Sequence, residues 1–279
     1  MTSKRTFNYD HVLIIGNGFD LDLGLPTSYG NFLESSNFHA LLNCNNRLAE
    51  HLSKTKAQNR WVDIELELAR FSKVKFVTAK PNDFRNDYLA LCDALETYID
   101  GIDYSQLNRS SRAARLLARL AEENSLCVVN FNYTETIDHL LPQGNKTVKH
   151  HRLHIHGSAK LKNIVFGVQD SADIKPNHVF LRKAVSKGFF VECLAGTIMK
   201  NAQKSISIYG HSLGETDHTQ FEPFFGLANS SKSSNIDIFY NSENGYYNLY
   251  QQIEKMTSRR LQAFRTQHNL RMLGPDDDE

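Results

Sequence analysis

The sequence predicts a doubly wound α/β fold with a mostly parallel sheet and one helical insertion. Short runs rich in Val, Ile, Phe and Tyr alternate with stretches whose apolar residues recur at helical spacing. This alternation is typical of parallel sheets that helices cover on both faces. The block between the first two predicted strands contains helical stretches only, which predicts an insertion into the sheet domain.

Composition narrows the class of protein. The chain has 279 residues, of which 41% are hydrophobic and 23% are charged, and its net charge is +1. These values are typical of a globular domain and do not call for a broad basic surface for nucleic acid. No apolar run reaches the ~20 residues of a membrane helix or forms a signal peptide. The four cysteines, Cys44, Cys92, Cys127 and Cys193, form no CxxC pair, so we expect a reduced, cytoplasmic protein without a cysteine zinc site.

The elements follow in order along the chain. The first predicted strand is HVLII at residues 11–15, and the later ones are LCVVNFNY, RLHIHG, IVFG, SISIYG and NIDIFYN. Helical stretches are predicted in residues 179–204 and 246–269. We therefore predict a core of residues 1–28 and 125–274, a helical insertion or cap of residues 29–124, and an acidic disordered tail of residues 275–279.

The first motif is GNGFD, which directly follows the first strand. Gly16 allows a sharp turn, and Gly18 leaves room for a phosphate or ribose to approach the backbone. The motif is not the dinucleotide fingerprint GxGxxG, because residue 21 is Leu. The alternative is a tight turn that binds no ligand. Asp20 could hold a ribose hydroxyl or stabilise a cation, or it could cap the next helix.

The second motif is VVNFNYTETI, at the carboxyl end of a strand, where ligands of open α/β sheets bind. Asn130 and Asn132 share a strand face, and Asn132 can both donate and accept hydrogen bonds to a ribose or a water. A turn-forming asparagine is the alternative.

The third motif is HHRLHIHG. His150, His154 and His156 would share a strand face, so a metal site is conceivable, but no acidic ligands lie nearby in the sequence. His156 differs from the others because glycine follows it at the strand end, where a general base can be presented.

The fourth motif, SISIYGHSLG, matches the GxSxG nucleophile elbow through Gly210, Ser212 and Gly214. The residues that follow do not read as a helix, and neither His218 nor His268 lies clearly in a strand-end loop. A serine nucleophile is therefore not favoured.

Taken in order, GNGFDLDLGLPTSY, WVDIE, FNYTETI, HIHG and GHSLGETDHTQF resemble the AbiH family of phage abortive-infection proteins over nearly the whole chain. The resemblance implies antiviral defence.

The same motifs more distantly resemble sirtuins and sirtuin-like NAD-cleaving domains, which have a Rossmann-like fold. In that resemblance Gly16, Gly18, Gly24 and Pro26 correspond to the NAD phosphate loop, and Asn132 to the asparagine of TQNxD. His156 and Gly157 correspond to the HG pair with its basic histidine, and Gly210, Ser212 and Leu213 to GxSL. The sirtuin zinc cysteines are missing, Thr134 replaces an aspartate and Tyr29 replaces an arginine, which favours NAD hydrolysis over protein deacetylation.

The resemblance implies an effector that depletes NAD, with NAD as substrate or ligand and no metal. Its catalytic residues would be Asn132, His156 and Asp20. The residues that it implies for NAD binding are Gly16, Asn17, Gly18, Phe19, Gly24, Pro26, Gly157, Gly210, Ser212, Leu213 and Asn241. Alternatives are a metal-dependent nuclease toxin that uses Asp20, His156, Asp217 and His218, and a non-catalytic nucleotide sensor.

Further expectations concern partners and the cap. We expect an unidentified phage trigger, no membrane partner and self-association as a switch, while nucleic acid is not favoured as a partner. The helical block is expected to close over the strand ends. Within WVDIE, Trp61 and Glu65 share a helix face whereas Asp63 points away, and Trp61 is expected in the core.

Overall fold

The computed structural model describes residues 9–58, 64–75, 81–122, 125–141, 151–185, 194–226 and 233–277. Six strands form one sheet in the order β3-β2-β1-β4-β5-β6. They are β1 (Tyr9–Ile15), β2 (Leu126–Asn130), β3 (His151–His154), β4 (Ala202–Tyr209), β5 (Asn235–Phe239) and β6 (Asn269–Leu273). Every neighbouring pair is parallel, which confirms the predicted doubly wound, Rossmann-like α/β fold.

Apolar side chains on both faces explain why the central strands have this composition. Leu13 and Ile15 of β1 pack into the core on one face, whereas Val12 and Ile14 pack into the core on the other. All four are fully buried, as expected for a parallel strand that helices cover on both sides.

The helices between β1 and β2 are α1 (Asn17–Asp22), α2 (Tyr29–Glu34), α3 (Ser36–Asn43), α4 (Arg47–Gln58), α5 (Ile64–Ser72), α6 (Pro81–Asp100) and α7 (Arg112–Leu120). Ser111 caps α7 by accepting a hydrogen bond from the Ala114 amide, as its position predicts. Trp61 and Asp63 lie outside the described residues.

This helical segment packs against the loop that follows β1. The Tyr98 hydroxyl donates to the Pro26 carbonyl at 2.6 Å, and the Asn108 amide donates to the Leu23 carbonyl at 2.9 Å. Phe32 and Leu68 of the segment share one core with Leu13 of β1. The segment therefore borders the carboxyl edge of the sheet.

The later helices are α8 (Thr136–Leu140), α9 (Leu194–Lys200), α10 (His218–Phe225), α11 (Glu243–Met256) and α12 (Leu261–Gln267), with short 3₁₀ helices at Pro176–Leu181, Lys183–Val185 and Glu215–Asp217. The single helix predicted for residues 246–269 is therefore two helices. Between them Ser258 and Arg259 adopt φ of 52° and 62°, which ends the first helix. The region 179–204, predicted to be helical, contains 3₁₀ turns, the helix α9 and the start of β4. Residues 186–193 lie outside the described ranges.

Two strand predictions were wrong. IVFG forms no strand, because the Val165 amide donates to the His156 carbonyl and the Val168 amide to the Leu181 carbonyl, so the run is buried as an irregular segment. β6 was not predicted. Among the described strands it pairs with β5 alone, and its exposed and buried residues mix along the edge of the sheet, which obscured its pattern.

Two further observations complete the fold. Asp277, in the predicted tail, accepts a hydrogen bond from the Gly274 amide and, through its carbonyl, one from Arg112. Across the part of the chain that the structure describes, no helix combines the length and apolar character needed to span a bilayer.

Candidate functional site

The candidate site lies at the carboxyl edge of the sheet, beside the point where strand order reverses between β1 and β4. Ligands of doubly wound sheets bind in this region. The loops after β1, β2, β3 and β4 all meet here, and they carry all four motifs singled out in the sequence.

A pair formed by a buried histidine and a largely buried aspartate is the chemical centre of this edge. Nε2 of His156 lies 2.8 Å from Oδ1 of Asp217. A carboxylate can only accept, so the neutral imidazole must carry its proton on Nε2. Nδ1 is then an unprotonated lone pair, and it is buried without a hydrogen-bond partner among the described residues. One ring nitrogen of His156 is therefore paired with Asp217, and the other has a lone pair that is able to accept a proton.

Electrostatics keep this imidazole neutral. Burial lowers the pKa of His156, and the nearby Lys183 ammonium lowers it further, while Asp217 acts in the opposite direction. Burial would raise the pKa of Asp217, but Lys183 and the hydrogen bond from His156 hold it well below its usual range. The pair is thus an ionised carboxylate and a neutral imidazole.

A second histidine also faces Asp217. The Leu213 amide donates to Nδ1 of His211 at 2.9 Å, which leaves the proton on Nε2. Nε2 of His211 lies 3.5 Å from Oδ2 of Asp217. The ring of Phe131 packs edge-on against both imidazoles, with centroids 5.4 Å from His156 and 4.2 Å from His211. The two oxygens of Asp217 therefore each face one histidine.

A buried ion pair connects this centre to the helical segment. Nζ of Lys183 lies 3.0 Å from Oε2 of Glu65 and 3.6 Å from Oδ1 of Asp217. Glu65 belongs to α5, and Lys183 begins a 3₁₀ turn after β3. Glu65 was predicted to share a helix face with Trp61, but no sequence signal pointed to Lys183.

Asn132 holds two loops together. Its side-chain amide donates to the Gly16 carbonyl at 3.0 Å, and its backbone amide donates to Oδ1 of Asn130 at 2.8 Å. Nδ1 of His154 donates to the Asn132 carbonyl at 3.2 Å. His154 therefore supports the loop after β2, whereas His156 turns toward Asp217.

Asp20 lies beneath this loop and is fully buried. The Thr134 hydroxyl donates to its Oδ2 at 2.6 Å, and burial raises the pKa of Asp20 to about 6. The suggestion that Asp20 caps a helix was wrong, because α1 begins at Asn17 and Asp20 lies inside it.

The glycines of GNGFD and GHSLG pack against each other. A Cβ on Gly18 would lie 2.7 Å from the Gly210 Cα, and one on Gly16 would lie 2.7 Å from the His211 Cα. The Gly18 amide donates to the Gly210 carbonyl, and the Phe19 amide donates to the Gly16 carbonyl, both at 2.9 Å. Contact between two backbones therefore requires these glycines, and two of the amides expected in a phosphate cradle are used within the chain.

The remaining predicted ligand-binding residues differ in exposure. Asn17, Gly24, Pro26, Ser212 and Asn241 are exposed, whereas Phe19, Gly157 and Leu213 are buried. Gly24 has φ of +84° and open space beside it.

The serine-nucleophile and nuclease arrangements are not assembled. No described histidine is hydrogen-bonded to the Ser212 hydroxyl, and Nε2 of His218 instead faces the Leu213 carbonyl and the Gln252 side chain. Of the four residues in the nuclease alternative, only His156 and Asp217 meet. His150 lies outside the described ranges, and within them no group of three or more His, Cys, Asp or Glu is arranged to hold a metal ion.

Comparison with known proteins supplies the family. No curated protein matches the chain. The family model described as "Bacteriophage abortive infection AbiH" matches residues 12–242, which span all five motifs that carried the resemblance. Because this match covers most of the sequence, the chain belongs to the AbiH family of bacteriophage abortive infection proteins.

Proposed function

We propose that this abortive-infection protein is an effector that hydrolyses the nicotinamide–ribose bond of NAD, with His156 as the general base. The observation that carries the proposal is the His156–Asp217 pair, which leaves the buried Nδ1 of His156 with a free lone pair at the carboxyl edge of a doubly wound sheet, where ligands bind. The distant sirtuin-like resemblance of the same motifs suggests NAD as the substrate.

The proposed reaction needs a leaving group, a water and a base that accepts the water proton. Cleavage passes through a ribosyl cation, as in glycoside hydrolysis, and nicotinamide leaves as a neutral base. The oxygen of a water forms a bond to the ribose carbon while the water proton moves to Nδ1 of His156. The imidazolium that results is stabilised by Asp217, which already accepts the Nε2 proton.

Other predicted residues receive specific places in this proposal. Asn132 orients the loops after β1 and β2. Buried Asp20 supports the loop after β2 through its hydrogen bond with Thr134. We expect the dinucleotide to contact the exposed residues of the same edge, Asn17, Gly24 and Ser212.

Access is a part of the proposal. Because Nδ1 of His156 is buried, NAD reaches it only when neighbouring segments separate. A toxic activity that has to stay off until infection is compatible with a closed site of this kind.

The test measures NAD and RNA by chromatography in cells that carry the protein, during infection by phages against which it protects. Purified protein is incubated with NAD or RNA, with and without a chelator. We expect NAD to fall, with nicotinamide and ADP-ribose as products, and the chelator to have no effect. RNA loss that the chelator stops would indicate the nuclease, and NAD binding without turnover would indicate the sensor.

His156→Asn is the decisive variant, and His154→Asn is its matched control. Asn cannot act as the base, so NAD cleavage should fall by ~100-fold or more, while NAD affinity changes far less. His154 supports the Asn132 loop through one hydrogen bond, so its loss should be milder. Near-normal activity in His156→Asn together with loss of activity in His154→Asn would refute the proposal.

A further inference from the structure

Four ionisable groups, of which Glu65, Lys183 and His156 are buried and Asp217 is largely buried, form a continuous series of contacts from the helical segment to the candidate base. Oε2 of Glu65 lies 3.0 Å from Nζ of Lys183, which lies 3.6 Å from Oδ1 of Asp217. The same Oδ1 lies 2.8 Å from Nε2 of His156. Glu65 comes from α5, His156 from the loop after β3, Lys183 from a later 3₁₀ turn and Asp217 from the turn after β4, so four separate parts of the sequence meet here.

Because these side chains are largely removed from water, the charge of each group depends on the charges of its neighbours. The side chains of Lys183 and Glu65 are 5% and 10% exposed, and Asp217 is 15% exposed. A charge in such surroundings is tolerated only when it is paired. Lys183 has a carboxylate on either side, so Glu65 shares the cation that also faces Asp217.

We propose that Glu65 and Lys183 are positioning residues, which hold the Asp217 carboxylate against the Nε2–H of His156 and so make the docked helical segment a part of the site. The role of His156 as a base rests on the proposed function. The electrostatic coupling along the chain does not, because it concerns only the ring of His156.

The charged and titratable groups around His156 fix the signs of the expected effects. Lys183 and His211 disfavour a second proton on the ring, and Asp217 favours it. Glu65 acts on the ring through Lys183, and both Glu65 and Asp217 raise the pKa of that lysine against the effect of burial. The phenol of the partly buried Tyr133 also lies near Glu65 and Asp217.

The experiment follows the His156 ring by NMR in full-length protein with isotope-labelled histidine, and His156→Asn identifies its signal. In Lys183→Met the ring loses a nearby cation, so the pKa of His156 should rise. In Glu65→Gln the Lys183 ammonium keeps Asp217 as its one carboxylate partner among these groups, so the pKa of His156 should fall. The two substitutions lie on one ion pair and yet act in opposite directions.

The double variant Glu65→Gln/Lys183→Met tests whether Glu65 acts through Lys183. The pKa of His156 in the double variant should equal that in Lys183→Met, because without the Lys183 cation Glu65 no longer competes with Asp217 for it. It leaves neither charge unpaired, so it keeps the test open if a single variant does not fold. A double variant with the wild-type pKa of His156 would overturn the proposal.

Lys73→Met is the matched control. Lys73 pairs with Asp173 at 2.6 Å and so joins the same two parts of the chain, but this pair is exposed and does not touch the site. It should leave the His156 signal unchanged. Shifts of the same sign in Glu65→Gln and Lys183→Met, or an equal shift in Lys73→Met, would indicate general loosening and refute the positioning role.

NAD cleavage is measured on the same samples. If the wild-type protein does not cleave NAD, the proposed function fails, whereas the positioning role is decided by the His156 signal alone. If NAD is cleaved, Lys183→Met should lower kcat more than it changes KM.

Discussion

The buried carboxyl of Asp20 makes stability depend on pH in a direction opposite to that of most aspartates. Burial raises its pKa from 3.8 to about 6, and Thr134 provides a hydrogen bond that only partly offsets this effect. The difference corresponds to about 3 kcal/mol. The folded state thus prefers the protonated carboxyl, so this stabilisation is fully present below pH 3.8 and is lost as pH rises through 6.

Asp20→Asn removes the titrating group while keeping an oxygen that can accept from Thr134. We expect the variant to be more stable than the wild type at pH 7.5, by up to about 3 kcal/mol, and the two to converge near pH 4. Urea denaturation at several pH values measures the free energy of unfolding of both.

The way in which the stability difference between the variant and the wild type changes with pH tests the prediction better than the size of that difference. The new amide replaces Oδ1, which has no hydrogen bond to any described residue, so a constant offset can be added at every pH. Asp22→Asn, on the same helix, is the control. Its carboxylate is exposed and accepts hydrogen bonds from the Ala113 amide and the Tyr209 hydroxyl, so this substitution should not stabilise the protein. A difference in the free energy of unfolding between Asp20→Asn and wild type that does not change from pH 4 to pH 7.5 would show that folding does not raise the pKa of Asp20.

Three further outcomes are expected. Gly18→Ala should destabilise the protein by about 1–3 kcal/mol, because the new Cβ would overlap the Gly210 backbone. Gly30→Ala in α2 should stabilise it by about 0.5–1 kcal/mol, because the new Cβ would contact only the Ser28 hydroxyl among the described residues. Thermal unfolding measures both variants. A chelator should leave the unfolding midpoint and any NAD cleavage unchanged, and a drop in either would point to a bound metal. Self-association should appear as a mass above 31.8 kDa in light scattering, and a strict monomer that is fully active at nanomolar concentration would remove the reason to expect a switch by assembly.

The sheet could be predicted where the strands are buried on both faces. The runs in β1 and β2 are short, apolar and buried because helices cover them on both sides, whereas β4 and β5 alternate apolar and polar residues. The edge strand β6 lacks that signature, and IVFG has it without being a strand. Burial alone therefore produces the pattern, and the hydrogen bonds that distinguish a strand from a buried irregular segment are set by tertiary contacts.

His156 could be singled out from its own motif, whereas Asp217 was grouped with it only in the nuclease alternative and Lys183 was not singled out at all. His156 was found because a glycine follows it at a strand end. Asp217 is 61 residues away in the sequence, and its part in the pair depends on how the loop after β4 folds. Lys183 occurs in a stretch that reads as an ordinary helix. The members of a site that come from separate loops leave no local pattern, because each loop only has to supply one side chain.

The glycine motif and the histidine pair thus have different physical reasons for their composition. Gly16 and Gly18 look like a phosphate-binding turn, yet the backbone of the loop after β4 fills the space beside them. This contact joins β1 and β4 at the point where strand order reverses, and it brings the loop that carries His211 and Asp217 over the sheet edge. Asp217 then reaches His156. We therefore expect the motif that resembles a ligand cradle most closely to act on the site through the fold, so that a substitution at Gly18 lowers activity only to the extent that it displaces Asp217. The NMR signal of His156 in Gly18→Ala separates the two effects, because loss of a phosphate contact would leave that ring unchanged.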